Sequence, residues 1–153
     1  MLVSDCTKLA KSLPGNIYEI MLKHETNKTT QEPEYEQAVE EFYRNFFCRS
    51  NPWPQEVTSA MAKLNRQIYV SMWGSYETCA TGNLKDVDLV PALPNIHVPT
   101  LFICGEYDTA TPTSMQACAN LMPNAKLAVI KDAAHTAPAE KPVEFVQTVG
   151  DFL

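Results

Sequence analysis

Apolar residues recur every three or four positions through the first half of the chain and gather into short unbroken runs in the second, so the pattern changes period near the middle. Tyr35, Val39, Phe42, Tyr43 and Phe46 share one face at helical spacing, with Glu36, Glu40, Glu41 and Arg44 opposite, which predicts an amphipathic helix over residues 34–48. Further helices are expected at 6–13, 17–25 and 55–72, because Pro14-Gly15, the polar stretch 27–33 and Asn51-Pro-Trp-Pro54 break the chain between them. From Thr100 onward the order is strand 100–104, helix 113–122, strand 127–130, helix 143–153, the βαβα signature of a parallel sheet. Prolines 91, 94 and 99 stiffen the join at 86–99, dividing the chain into a helical part (1–90), a Pro-rich linker (91–99) and a βαβα part (100–153).

Two parallel strands cannot stand alone, because a parallel sheet is covered on both faces and a lone pair leaves bare edges. More strands are therefore expected from polypeptide outside these residues. The expected class is α/β.

Composition narrows the possible partners. The 153 residues are 45% hydrophobic, ordinary for a globular protein, and carry a net charge of −6 with the densest charges acidic at 32–41. A phosphate backbone would be repelled, so nucleic acid is not an expected partner. Cys6, Cys48, Cys79, Cys104 and Cys118 contain no Cys-x-x-Cys pair and read as reduced thiols. The first residues lack a basic segment followed by an apolar core, and no run approaches the roughly 18 apolar residues of a membrane span. A cytoplasmic location without membrane contact is expected, and the Asn27-Lys28-Thr29 glycosylation triplet then carries no weight. Neither Gly-x-Gly-x-x-Gly nor a Walker loop occurs, and the histidines lack metal-ligand spacing, so no cofactor or metal is expected.

The candidate chemistry lies where the apolar runs end. Thr100-Leu-Phe-Ile-Cys-Gly-Glu-Tyr-Asp108 is followed 27 residues later by His135 in Lys131-Asp-Ala-Ala-His135, so successive strands deliver a carboxylate and an imidazole to loops at one sheet edge. Alone, Asp108 reads equally as a cap for the helix after it, and His135 as a loop histidine bonded to backbone. Together they match two members of a Ser-His-Asp triad, in which the acid fixes the imidazole tautomer and the imidazole takes the serine proton. The third member is missing, because no Gly-x-Ser-x-Gly turn occurs in these residues.

Other candidates are weaker. Ser75 follows no strand, and Cys104 sits in an apolar strand whose loop already supplies the carboxylate. His24 and His97 read as solvated. Glu77 is either a surface glutamate or a lid carboxylate that pairs with a substrate ammonium, and Trp73 and Tyr76 beside it are either pocket lining or plain packing.

Glu34-Tyr35, Ala38-Val39-Glu40-Glu41-Phe42-Tyr43, Cys48-Arg49, Pro52-Trp53-Pro54, Met72-Trp73-Gly74-Ser75-Tyr76-Glu77, Thr81-Gly82-Asn83-Leu84-Lys85-Asp86, Gly105-Glu106-Tyr107-Asp108 and His135 together resemble the proline iminopeptidase family of α/β-hydrolases. The resemblance implies the C-terminal portion of an α/β-hydrolase fold preceded by a helical cap. It further implies Asp108 as triad acid, His135 as general base and Glu77 as the cap glutamate that binds a substrate's free amine, with Trp73 and Tyr76 near the substrate. The family releases an N-terminal residue, often proline, from peptides by an acyl-enzyme route without a cofactor. Thr109 departs from the pattern, standing where family members often carry a second glutamate, and a neutral group there is expected to favour amides or esters.

Three functional expectations follow: a serine hydrolase acting on the N-termini of peptides, an esterase or amidase acting on small substrates with the same scaffold, or a non-catalytic binding module. The 153 residues alone are expected to be inactive for want of a nucleophile, and to self-associate through the bare strand edge unless the missing N-terminal part of the hydrolase core covers it.

Overall fold

A computed structural model describes residues 2–76 and 78–153. Five helices come first: α1 (Leu2–Ser12), α2 (Ile17–Asn27), α3 (Pro33–Phe46), α4 (Gln55–Lys63) and α5 (Arg66–Met72). A short 3-10 helix, Val90–Asn95, then leads into β1 (Thr100–Gly105), α6 (Pro112–Leu121), β2 (Ala125–Ile130), α7 (Ala137–Glu140) and α8 (Pro142–Phe152).

The stripe on α3 organises the helical part. Pro33 opens the helix at a position where its missing N–H costs nothing and its fixed φ suits the first turn. Tyr35, Ala38, Val39, Phe42, Tyr43 and Phe46 are all buried, packed on Met21 of α2 and on Cys6 and Ala10 of α1, while Glu36, Glu40 and Arg44 face out. Phe42 meets Phe46 at 5.1 Å between ring centroids and Tyr43 at 6.5 Å, the separations of tilted aromatic contacts. Tyr35 carries a hydroxyl into this core and donates it to Glu25 Oε1 at 3.0 Å. Burial pushes the Tyr35 phenol up and, more weakly opposed by the hydrogen bonds from Tyr35 and Thr78, holds the Glu25 carboxyl above its ordinary value.

Two expectations fail here. The single helix over 55–72 is two helices: Leu64 is extended (φ −59°, ψ 127°), and Asn65 accepts a hydrogen bond from Ile68 N at 3.1 Å, capping α5. Asparagine offers the backbone this local alternative, and the apolar period on either side conceals it. His24 is not solvated but 5% exposed, because α2 lies against α3 and the ring is enclosed. Its Nδ1 lies 2.8 Å from Thr29 Oγ1 and its Nε2 2.9 Å from Glu34 Oε2, so a polar pair at the helix junction replaces water.

β1 and β2 run parallel in register from Thr100 opposite Ala125 to Gly105 opposite Ile130, with α6 as the crossover. Thr111 caps α6 by accepting from Ser114 N at 3.3 Å and donates to the buried Asp5 Oδ2 at 3.2 Å, tying α1 to the loop that leaves β1. Among the described residues the sheet has these two strands, and Val143 (80% exposed) and Val146 (69%) on α8 stand open. The parallel βαβα arrangement is that of an α/β sheet, and nothing among the described residues covers this apolar face of α8. No helix among the described residues is long and apolar enough to cross a membrane.

Gly105 closes β1 where the loops that follow β1 and β2 meet. A Cβ there would fall on the carbonyl oxygens of Ala133 and Ala134, which are backbone atoms that cannot rotate away. Gly105→Ala is therefore expected to lower stability by about 1–3 kcal/mol, the range for overpacking a tight site, and to push the 133–135 loop outward. Chemical denaturation checks it, and an unchanged midpoint would contradict the close approach.

Candidate active site

The register of the sheet sets the site. Gly105 and Ile130 are partners, so the chain leaves both strands side by side, and Asp108 follows three residues beyond one while His135 follows five beyond the other. The two loops are then stitched together. Glu106 N donates to Ile130 O at 2.9 Å, Tyr107 N to Ala133 O at 2.9 Å, and Asp132 N to Glu106 Oε2 at 3.0 Å. These bonds satisfy backbone groups that would otherwise be stranded at the strand ends, and in doing so they fix the distance between the loops.

Within that frame His135 Nδ1 lies 2.8 Å from Asp108 Oδ1. A carboxylate only accepts, so the proton of this contact sits on Nδ1 and leaves Nε2 as the basic nitrogen. Asp108 is 5% exposed, and every bond it makes holds its orientation: Oδ1 also accepts from Ala110 N at 2.9 Å and Thr109 Oγ1 at 3.3 Å, and Oδ2 accepts from Gly105 N at 3.3 Å. The His135 side chain, by contrast, is 48% exposed against 7% for Asp108. An imidazole oriented by a buried acid and half exposed to solvent is the arrangement a general base requires.

The helical part reaches this site directly. His135 N donates to Phe46 O at 3.3 Å, Thr136 N to Phe47 O at 2.9 Å, and Thr136 Oγ1 to the same carbonyl at 3.1 Å, so the end of α3 accepts from the histidine loop. The Phe47 ring lies 5.7 Å from the imidazole. Arg49 stacks its guanidinium 3.9 Å over the Tyr107 ring, joining the same segment to the aspartate loop. His135 borders two cavities. One, of about 400 Å³, is walled by Phe47, Val57, Met61 and Pro138. The other, of about 440 Å³, lies along Leu101, Ile103, Cys104 and Asp108 at the open side of β1.

The remaining sequence candidates fall elsewhere. Glu77 lies outside the described residues. Tyr76 packs in the helical core, 5.2 Å from Tyr35 and 6.4 Å from Tyr43 between ring centroids, with Arg66 over its face at 5.1 Å. Trp73 borders a separate apolar cavity with Leu64, Ile68 and Leu84. Ser75 accepts a hydrogen bond from Thr30 Oγ1 at 3.1 Å. Cys104 is 2% exposed, and burial first, then the Asp108 charge, pushes its thiol up to about 11, so it is a core residue and not a thiolate nucleophile. Thr109 is buried with its hydroxyl turned onto Asp108. Sequence reading missed the residues around the histidine loop, Phe46, Phe47 and Glu140. Phe46 was visible as part of the apolar stripe, but its carbonyl has no sequence signal.

No family model matches the chain. A proline iminopeptidase of Heyndrickxia coagulans is 35% identical over 144 residues, covering 94% of this chain and 50% of that protein. Among solved structures, VinJ superposes with a TM-score of 0.91 at 30% identity over 99% of this chain and 52% of its own. Proline iminopeptidase of Mycobacterium smegmatis superposes with a TM-score of 0.87 at 32% identity, over 99% of this chain and 51% of its own. The chain thus spans about half the length of the relatives it matches.

Proposed function

Starting from a chain that is a relative of the proline iminopeptidase family of α/β-hydrolases, we propose that it supplies the acid and base of a serine hydrolase that releases an N-terminal residue, often proline, from peptides. The single observation that carries this reading is the 2.8 Å contact between a buried Asp108 and a half-exposed His135.

In this proposal the serine comes from polypeptide outside the 153 residues. His135 Nε2 takes the serine proton as the hydroxyl oxygen attacks the scissile carbonyl, and Asp108 stabilises the resulting imidazolium through Nδ1–H. The imidazolium then gives its proton to the departing amine, leaving an acyl-enzyme. Water repeats the sequence with His135 again as base, freeing the acid and restoring the serine. Glu77 pairs with the ammonium of the substrate, and the cavity beside Phe47 and His135 accommodates apolar substrate groups. Cysteines that form no disulfide suit a reducing, cytoplasmic setting.

A second reading, an esterase or amidase acting on neutral substrates, is favoured by one observation. The Thr109 hydroxyl is engaged by Asp108 and offers no charge to an amine.

The test joins the 153 residues to the serine-bearing half of a proline iminopeptidase and compares a prolyl arylamide with neutral short-chain esters. Faster turnover of the prolyl amide, with KM raised roughly 10- to 100-fold by Glu77→Gln as one charge-assisted bond is lost, supports the peptidase. Ester turnover that ignores Glu77→Gln selects the second reading. The 153 residues alone are expected to show no hydrolysis, and stoichiometric labelling of that chain by a fluorophosphonate would sink the proposal of an outside nucleophile. A joined protein that binds but never turns over would instead identify a binding module.

A further inference from the structure

Glu140 is the last residue of α7, five positions beyond His135, and both of its carboxylate oxygens are engaged. Oε1 accepts from Ala134 N at 3.0 Å and lies 3.0 Å from Thr136 Oγ1, whose one proton it shares with Phe47 O. Oε2 accepts from Arg49 N at 2.8 Å, across 91 residues of sequence. Ala134 and Thr136 are the two neighbours of His135. One carboxylate thus grips the backbone just before the imidazole, the side chain just after it, and the segment that follows α3.

From this geometry we propose that Glu140 is a positioning residue for the general base, clamping the loop so that the His135 ring stays in register with Asp108. The proposal rests on the hydrolase reading above and deepens it. Nothing in α7 itself calls for an acid at this place, because a negative charge at the C-terminal end of a helix opposes the helix dipole. The loop does call for one. Ala134 is 0% exposed, and its N–H would be left without an acceptor if Glu140 were removed.

The two ends of the carboxylate are chemically separable. In Glu140→Gln the amide oxygen still accepts from Ala134 and Thr136, while the amide nitrogen turns a donor toward Arg49 N. Arg49 is exposed, so water takes over that contact and only the tie to the helical part is lost. Glu140→Ala removes both ends.

The experiment uses the joined protein described above, with steady-state kinetics on a prolyl arylamide and proton NMR of the hydrogen-bonded His135 Nδ1–H. Glu140→Ala is expected to lower kcat roughly 10- to 100-fold, as misplacement of about an ångström does, with KM within about threefold of the parent. Its Nδ1–H signal should move upfield or broaden. Glu140→Gln should stay within about threefold in kcat and keep the signal, since the loop grip is intact. A Glu140→Ala protein with kcat within about twofold and an unmoved signal overturns the proposal, and so does a Glu140→Gln protein as impaired as the alanine variant. Should Glu140→Ala fail to fold, Glu140→Asp draws the carboxylate back from Ala134 N and Thr136 Oγ1 by one methylene and leaves the Thr136 contact with Phe47 in place. A kcat lowered by about threefold or more with a shifted signal supports the clamp, and an unchanged pair of readings overturns it. If the parent protein shows no turnover, the hydrolase reading falls, while the response of the Nδ1–H signal to Glu140→Ala still decides whether the clamp exists.

Discussion

Asp108→Asn, in the joined protein, is expected to lower kcat by about four orders of magnitude while leaving the fold intact. The reason lies in the bonds that Asp108 already makes. Its two oxygens accept from Gly105 N, Ala110 N, Thr109 Oγ1 and His135 Nδ1, and an asparagine has only one oxygen to offer. If that oxygen replaces Oδ1, the new amide group faces Gly105 N, donor against donor. If it replaces Oδ2, the amide donates to His135 Nδ1, which moves the imidazole proton to Nε2 and removes the base. Either orientation breaks the arrangement, and the second inverts the tautomer outright. His135→Ala should cost at least as much, and the double variant little more than either single one, because residues that act as a unit are not additive. Steady-state turnover of a prolyl arylamide measures all three. Activity within tenfold of the parent after Asp108→Asn would remove Asp108 from the proposed role.

Phe42→Ala is expected to lower stability by about 3–5 kcal/mol, the range for deleting a buried phenylalanine ring. Phe42 is 0% exposed and lies between Phe46 and Tyr43 in the cluster that joins α1, α2 and α3. The surrounding rings are themselves locked by Tyr35, Tyr43 and Tyr76 contacts, so they have little room to close over the cavity. Because Phe46 and Phe47 offer their carbonyls to the histidine loop, a loosened α3 should also loosen His135, and activity should fall before the protein unfolds globally. Urea denaturation followed by turnover at sub-denaturing urea tests both parts. A midpoint unchanged from the parent would show that α3 is not the centre of this core.

The fold was legible wherever burial follows a local period. The α3 stripe of Tyr35, Val39, Phe42, Tyr43 and Phe46 is buried as its spacing requires, and the βαβα order at the end of the chain is observed with element ends displaced by a residue or two. The break between α4 and α5 was not legible, since the apolar period continues through Leu64 and only the Asn65 side chain, bonded to Ile68 N, decides the interruption. His24 was misread for a related cause. Its partners Thr29 and Glu34 belong to the next turn and the next helix, so its burial depends on how α2 meets α3 and not on its own surroundings in the chain.

At the site the division is sharper. Strand ends are marked by apolar runs that stop, and this alone placed Asp108 and His135 in loops at one edge of a sheet. Periodicity reports which face of an element is buried, and from that the amino-acid sequence determined the order of most elements and the loop positions of two candidate residues, Asp108 and His135. The 2.8 Å contact between them, the donors that saturate Asp108, the carbonyls of Phe46 and Phe47 on the histidine loop and the three bonds of Glu140 were decided by tertiary structure. Those bonds join segments up to 91 residues apart and demand placement within tenths of an ångström, which only the packing of whole elements against one another can supply.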